Sequence, residues 1–72
     1  MEEQVQKVLR AIEEGRPFGI WLHSHFYRGY IVALIEPENI FLFMGRKEGG
    51  TEEYIGRVDP GDIQILPAEC TP

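Results

Sequence analysis

Two histidines, His23 and His25, flank a single serine in the segment LHSHFYRGY. Residues two apart on an extended strand point to the same face, so these imidazoles could share one metal ion. A zinc site needs three or four ligands, and no cysteine or carboxylate lies near the pair in sequence, so a neighbouring subunit would have to complete the site. Because Ser24 favours a turn, we predict the tip of a β-hairpin and no metal site.

Catalytic patterns are also absent from the sequence. Ser24 lies beside two histidines, but adjacent residues of one strand point apart, whereas a nucleophile needs a base brought to it across the fold. The segments GRKEGG and RVDPGD lack the spacing of a phosphate loop ahead of a helix. We therefore predict no enzymatic activity and no cofactor. A histidine titrates near neutral pH, so His25 remains a candidate for contact with a ligand or a phosphate.

Length and charge limit the remaining functions. The 72 residues are predicted to form a single domain, 1–72. A domain of this size buries only about 60% of the surface of its unfolded chain. Cys70 is the single cysteine, so no internal disulfide can form and oligomerisation becomes the expected source of stability. The formal net charge is −5, so any contact with RNA must be local.

The sequence contains no apolar run near the roughly 18 residues of a membrane-spanning helix. Its first residues, MEEQVQKVLR, lack the basic head and apolar core of a signal peptide. We therefore expect a cytoplasmic protein without a membrane partner.

One helix and five strands are predicted. Helical spacing of Val5, Val8, Leu9 and Ile12, followed by Gly15 as a C-terminal cap, predicts an amphipathic helix at about 2–14. After Pro17, β-branched and aromatic residues alternate with turn formers, which is typical of short strands. We place these strands at roughly 17–23, 26–35, 39–45, 52–58 and 62–66, with a short tail at 67–72. Tight turns between short strands predict a small, strongly bent antiparallel barrel over about 17–66.

Two features of the strands bear on assembly. Gly29 lies inside an otherwise β-favouring run, where glycine typically marks a bend or bulge. The third strand, NIFLF, carries apolar residues on both faces. Phe41, Phe43 and Trp21 therefore suggest a surface that the helix and a neighbouring subunit would have to cover.

This order of elements resembles the Sm-like family, whose fold is a small SH3-like barrel behind an N-terminal helix. The residues that carry the resemblance are Ile20, Leu22, Gly29, Ile31, Leu34, Asn39, Ile40 and Leu42. A second stretch, YIGRVDPGDIQIL, is similar to the family's second motif. The resemblance implies an RNA-binding protein, an RNA chaperone or a scaffold of a ribonucleoprotein, with Asn39 and Arg57 where the family contacts RNA.

The resemblance also implies a homo-oligomer, a ring of about five to seven subunits in which the fourth strand of one subunit pairs with the fifth of the next. We expect this contact to involve Tyr54, Ile55, Ile63 and Ile65.

Two positions depart from the family pattern. Ile35 replaces an aspartate, and Glu38 occupies the base-stacking position, where a carboxylate would repel phosphate. Glu38 and the net charge support an alternative function, an oligomeric interaction module that binds a protein or a small ligand without RNA.

Overall fold

The computed structural model describes residues 2–68, so Cys70 and most of the predicted tail lie outside the described residues. The elements are α1 (Glu2–Glu13), β1 (Phe18–Leu22), β2 (His25–Ile35), β3 (Ile40–Lys47), β4 (Glu53–Val58), the 3-10 helix η1 (Pro60–Asp62) and β5 (Gln64–Ile65). This mainly β arrangement, an N-terminal helix followed by a five-stranded antiparallel sheet, confirms the predicted fold class. Within residues 2–68, the structure has no helix long and apolar enough to cross a membrane.

Helix α1 ends where the sequence predicts. Gly15 adopts a left-handed φ of 73°, its N–H bonds the carbonyl of Ile12, and the N–H of Arg16 bonds the carbonyl of Ala11. These two bonds form a Schellman cap, which satisfies carbonyl groups that the helix end would otherwise leave unpaired. Ala11 is buried, whereas Ile12, predicted to lie on the apolar stripe, is 40% exposed.

The sheet is open, with the strand order β4-β3-β2-β1-β5. Strand β2 is the longest and pairs with both β1 and β3. Gly29 of β2 lies directly opposite Gly45 of β3, and neither position has room for a side chain. The predicted irregularity of β2 is present at Val32, three residues beyond Gly29, where the register with β3 shifts. Gly29 therefore permits close approach of two strands, and the bulge lies after it.

The core lies between the inner face of the sheet and α1. Phe41 and Phe43, which we expected to need cover from a neighbour, have 0% exposure within the single chain. They pack in one cluster with the following residues: Val5, Val8, Ala11, Phe18, Ile20, Tyr27, Val58 and Ile63. Trp21 is the exception, because 63% of its surface remains exposed.

The last strand is shorter than the predicted 62–66. Asp62 belongs to η1, and the N–H of Ile63 bonds the carbonyl of Pro60, so the chain enters β5 only at Gln64. The amide of Gln4 donates to the carbonyl of Ile63, at 3.4 Å, and so fastens α1 to this segment. Proline at the start of η1 presets a turn conformation, which explains why pairing starts later.

Candidate functional site

The histidine pair lies at a tight hairpin. His23 and Ser24 form the two-residue turn between β1 and β2, with positive φ values of 52° and 68°. Two left-handed residues in a two-residue loop are typical of a type I′ turn, which matches the twist of the flanking strands. Leu22 and His25 pair across the turn, and both histidines are exposed. The predicted hairpin tip is therefore confirmed.

In residues 2–68, no group of three or more His, Cys, Asp or Glu side chains could hold a metal ion. Zinc, the ion that the histidine pair first suggested, normally takes four ligands in a structural site. The two histidines alone do not supply them.

Asn39 lies at the opposite end of β2 from His25. It closes the turn between β2 and β3 and adopts a left-handed φ of 61°. Asparagine tolerates this conformation better than most residues do, so part of its role is to form the turn. Its half-buried side chain lines a depression together with Gln4 of α1 and with Glu38, Asp59 and Asp62. We call this depression the loop-end pocket.

Arg57 is close to the loop-end pocket but not in it. It lies on β4, opposite Leu42, and its exposed side chain borders an adjoining depression that shares Ile40, Asp59 and Asp62 with the loop-end pocket. In the described part of the chain, Arg57 makes no ion pair. The fold thus brings Asn39 and Arg57 into one neighbourhood. His25 lines a different depression, although its strand partner Leu22 borders the same depression as Arg57.

The charge of the loop-end pocket opposes binding of a polyanion. Glu38, Asp59 and Asp62 are exposed carboxylates around Asn39, and Arg57 is the cation on the border. Because solvent and salt screen exposed charges over about 8–10 Å, these groups act chiefly on a ligand in direct contact. A phosphate beside Asn39 would be repelled, and a ligand with a positive group would be attracted.

The predicted interface residues have different surroundings. Tyr54 is 58% exposed, and Ile55 and Ile65 are partly buried against the core. Ile63 is only 4% exposed, so its side chain belongs to the core of its own chain. An interface between β4 of one subunit and β5 of the next would therefore use the side chain of Tyr54 and the backbone of β5.

The structure also groups side chains that the sequence reading did not connect. Trp21, Phe26, Arg28, Arg46 and Lys47 line one open depression, and His25 lies at its margin. We call these five residues the aromatic–basic surface. The sequence did contain one signal for this surface. Side chains alternate between the two faces of β1, so the buried Ile20 places Trp21 on the other, solvent-facing side. The pairing of Arg28 with Arg46 follows from the register of β2 with β3, which the sequence did not reveal.

Tyr30 lies beyond this surface on the same face of β2. Its hydroxyl donates to the sulfur of Met44 at 3.4 Å. The negative charge of Glu52, with smaller effects of desolvation and of a hydrogen bond to the same carboxylate, raises the pKa of Tyr30. The phenol therefore stays protonated through the physiological range and can act as a hydrogen-bond donor.

Comparison with family models, with curated proteins and with solved structures finds no match to this chain.

Proposed function

We propose that this protein assembles through its sheet edges into a ring that binds single-stranded RNA. The observation that carries the proposal is the order β4-β3-β2-β1-β5, which leaves β4 and β5 as the two edges of an open sheet. Edge strands present unpaired backbone groups, and pairing β4 of one subunit with β5 of the next would satisfy them. A head-to-tail contact of this kind gives a ring when its rotation closes. The resemblance to the Sm-like family supports the same arrangement.

The backbone of β5 indicates which group would make the contact. The N–H of Leu66 donates to the carbonyl of Pro17, at 3.0 Å, and thus points toward the β1 side. Successive residues of a strand direct their N–H groups to opposite sides. The N–H of Ile65 therefore points away from β1, toward an incoming edge strand.

Ring symmetry would compensate for a weak RNA site on each subunit. Asn39 and Arg57 would be repeated around the assembly, and linked weak contacts raise the overall affinity without new contacts in any one subunit. A guanidinium can hold two oxygens of a phosphate or a base edge, and Arg57 is exposed for that purpose. His25, at the margin of the aromatic–basic surface, would give each subunit a further contact.

A second candidate function is an oligomeric interaction module that binds a protein or a small ligand without RNA. The observation that favours it is the three carboxylates of the loop-end pocket, Glu38, Asp59 and Asp62. They would select a ligand with a cationic or hydrogen-bond-donating group, because an anion would be repelled at contact distance.

Assembly is tested with Ile65→Pro. Proline removes the outward N–H of Ile65 but leaves the bond from Leu66 to Pro17, so we expect a ring to dissociate into smaller folded species. Ile65→Val keeps the N–H and serves as the matched control. Multi-angle light scattering gives the mass of each variant, and circular dichroism reports its folding. A monodisperse monomer for the unmodified protein at micromolar concentration would exclude the ring.

RNA binding is tested by fluorescence anisotropy with labelled oligo(U) and oligo(A). Asn39→Gly removes the side chain without straining the left-handed backbone, and Arg57→Ala removes the cation. We expect both to weaken binding while assembly persists, and Arg10→Ala, on the exposed face of α1, to have little effect. Assembly without binding to either oligonucleotide at low salt would refute RNA binding and favour the interaction module.

A further inference from the structure

Four residues of the aromatic–basic surface, Trp21, Phe26, Arg28 and Arg46, lie on the outer face of the sheet, away from the core. Lys47 pairs with the buried Tyr27 and lines the same depression from the end of β3. Trp21 of β1 pairs with Phe26 of β2, and Gly19 pairs with Arg28, which in turn pairs with Arg46 of β3. Residues directly opposite each other in an antiparallel pair share one face. The register therefore places an aromatic pair and two guanidinium groups side by side on one surface.

The aromatic part of this surface is held open to solvent. The rings of Trp21 and Phe26 have centroids 5.2 Å apart and are tilted by 58°. The Phe26 ring lies over Gly19, which has no side chain to obstruct it. A Cβ atom at Gly19 would come within 2.8 Å of this ring. The phenyl ring thus packs beside the indole, while most of the Trp21 surface stays exposed.

Positive charge is concentrated here, although the chain as a whole is acidic. The depression is lined by three of the seven Lys and Arg side chains, Arg28, Arg46 and Lys47, and by one carboxylate, that of Glu48. A second depression adjoins it and is lined by Arg16, Arg28 and Arg46. Arg16 also donates to the carbonyl of Leu66, which fixes its side chain near this end of the sheet.

We propose that a single strand of RNA crosses the outer face of the sheet, with one base stacked on Trp21 and the neighbouring phosphates held by Arg28 and Arg46 on that face and by Lys47 at the end of β3. This inference rests on the proposed RNA-binding function and gives it a site other than the loop-end pocket. Outer-face positions are about 4.8 Å apart between strands and about 6.7 Å apart along a strand, so the cations lie beside the stacked base.

The combination of chemical groups selects this ligand. Any polyanion would be attracted by three cations, but an exposed indole beside them adds a platform for a planar ring, as in proteins that bind single strands without sequence preference. A base can stack on Trp21 while its phosphates reach the cations, whereas an acidic peptide would use only the charges. The site is thus expected to depend on the base as well as on salt.

Trp21 is the single tryptophan of the chain, so the fluorescence of the protein at tryptophan excitation reports contacts at this residue. The intact protein is titrated with 12-nucleotide oligo(U) and oligo(A) in low salt, with anisotropy of the labelled oligonucleotide followed in parallel. We expect Trp21 fluorescence to be quenched as the anisotropy rises. The affinity should fall with salt with a logarithmic slope of roughly −2, since each contacted phosphate of a single strand contributes about −0.7.

Three variants locate the contact. Trp21→Ala should weaken binding by about 5- to 150-fold, the effect of losing one stacked base. Trp21→Tyr should restore most of the affinity, because the phenol also stacks. Arg46→Ala should make the salt slope less steep by about 0.7. Arg10→Ala is the control that removes the same charge from the exposed face of α1. Light scattering and melting curves identify any variant with altered assembly.

The outcomes separate this inference from the proposed function. Anisotropy that rises without a change in Trp21 fluorescence, together with lost binding in Asn39→Gly or Arg57→Ala, would overturn the inference and leave RNA binding intact. Absence of binding by both measurements would refute RNA binding itself. Equal quenching by a poly-glutamate peptide at the same charge concentration would also overturn the inference, because it would show an electrostatic surface for acidic proteins.

Discussion

Substitution of Gly29 by alanine tests whether β2 and β3 approach as closely in solution as the structure indicates. A Cβ atom at Gly29 would lie 2.5 Å from the Cα of Gly45 and closer still to the carbonyl oxygen of Met44. Comfortable contacts between carbon atoms begin near 3.5 Å, so the two strands would have to separate by about 1 Å. The obstructing atoms belong to the backbone, so no side-chain rotation can relieve the clash.

The expected loss of stability follows from this geometry. Overpacking of a well-packed core costs about 1–3 kcal/mol, and we expect the upper half of that range because backbone must move. Alanine restricts the unfolded chain and returns about 0.4–1 kcal/mol, which leaves a net loss of about 2 kcal/mol. A domain of 72 residues has a free energy of unfolding of roughly 4–11 kcal/mol. The melting temperature should then fall by about 8–16 °C.

Gly61→Ala is the matched control, because a Cβ atom there would meet nothing within 4 Å and the backbone has no left-handed φ. Melting is followed by circular dichroism at one fixed protein concentration, since assembly makes the melting temperature depend on concentration. We expect Gly61→Ala to melt within a few degrees of the unmodified protein. If Gly29→Ala did the same, the close approach of β2 and β3 would not be a feature of the protein in solution.

Two further substitutions test the outer face. Gly19→Ala should displace the Phe26 ring from its place over β1. We expect the Trp21 emission maximum to shift and oligonucleotide binding to weaken, because the two rings are in contact. An unchanged emission spectrum would contradict the described packing. Glu52→Gln should lower the pKa of Tyr30, measured by ultraviolet difference titration. Because the folded pKa of Tyr30 is raised, the stabilising effect of this pair is present below the ordinary tyrosine pKa and is lost as pH rises through the raised value. An equal pKa in both proteins would show that Glu52 is not its cause.

The sequence predicted the fold well because each element has a local signal. Gly15 ends α1, Ser24 turns the first hairpin, and apolar residues at every second position mark the buried faces of β1 and β3. The error at the start of β5 has a local cause in Pro60 and a distant one in the contact with α1. The predicted start of β5 at residue 62 was wrong, because Pro60–Asp62 form a 3-10 turn that is fastened to α1 through Gln4.

The candidate site was less predictable, since its charges are brought together by strand register. Arg28 and Arg46 are eighteen positions apart, and nothing near either residue in sequence indicates that they face each other across β2 and β3. A net charge of −5 therefore excluded only a whole-molecule attraction for RNA. The fold places acidic residues around Asn39 and basic residues around Trp21. The net charge averages over both groups, so it does not exclude a local contact between RNA and the basic residues. Reversing the charge at Arg46 should consequently affect RNA binding more than neutralising Glu38 does.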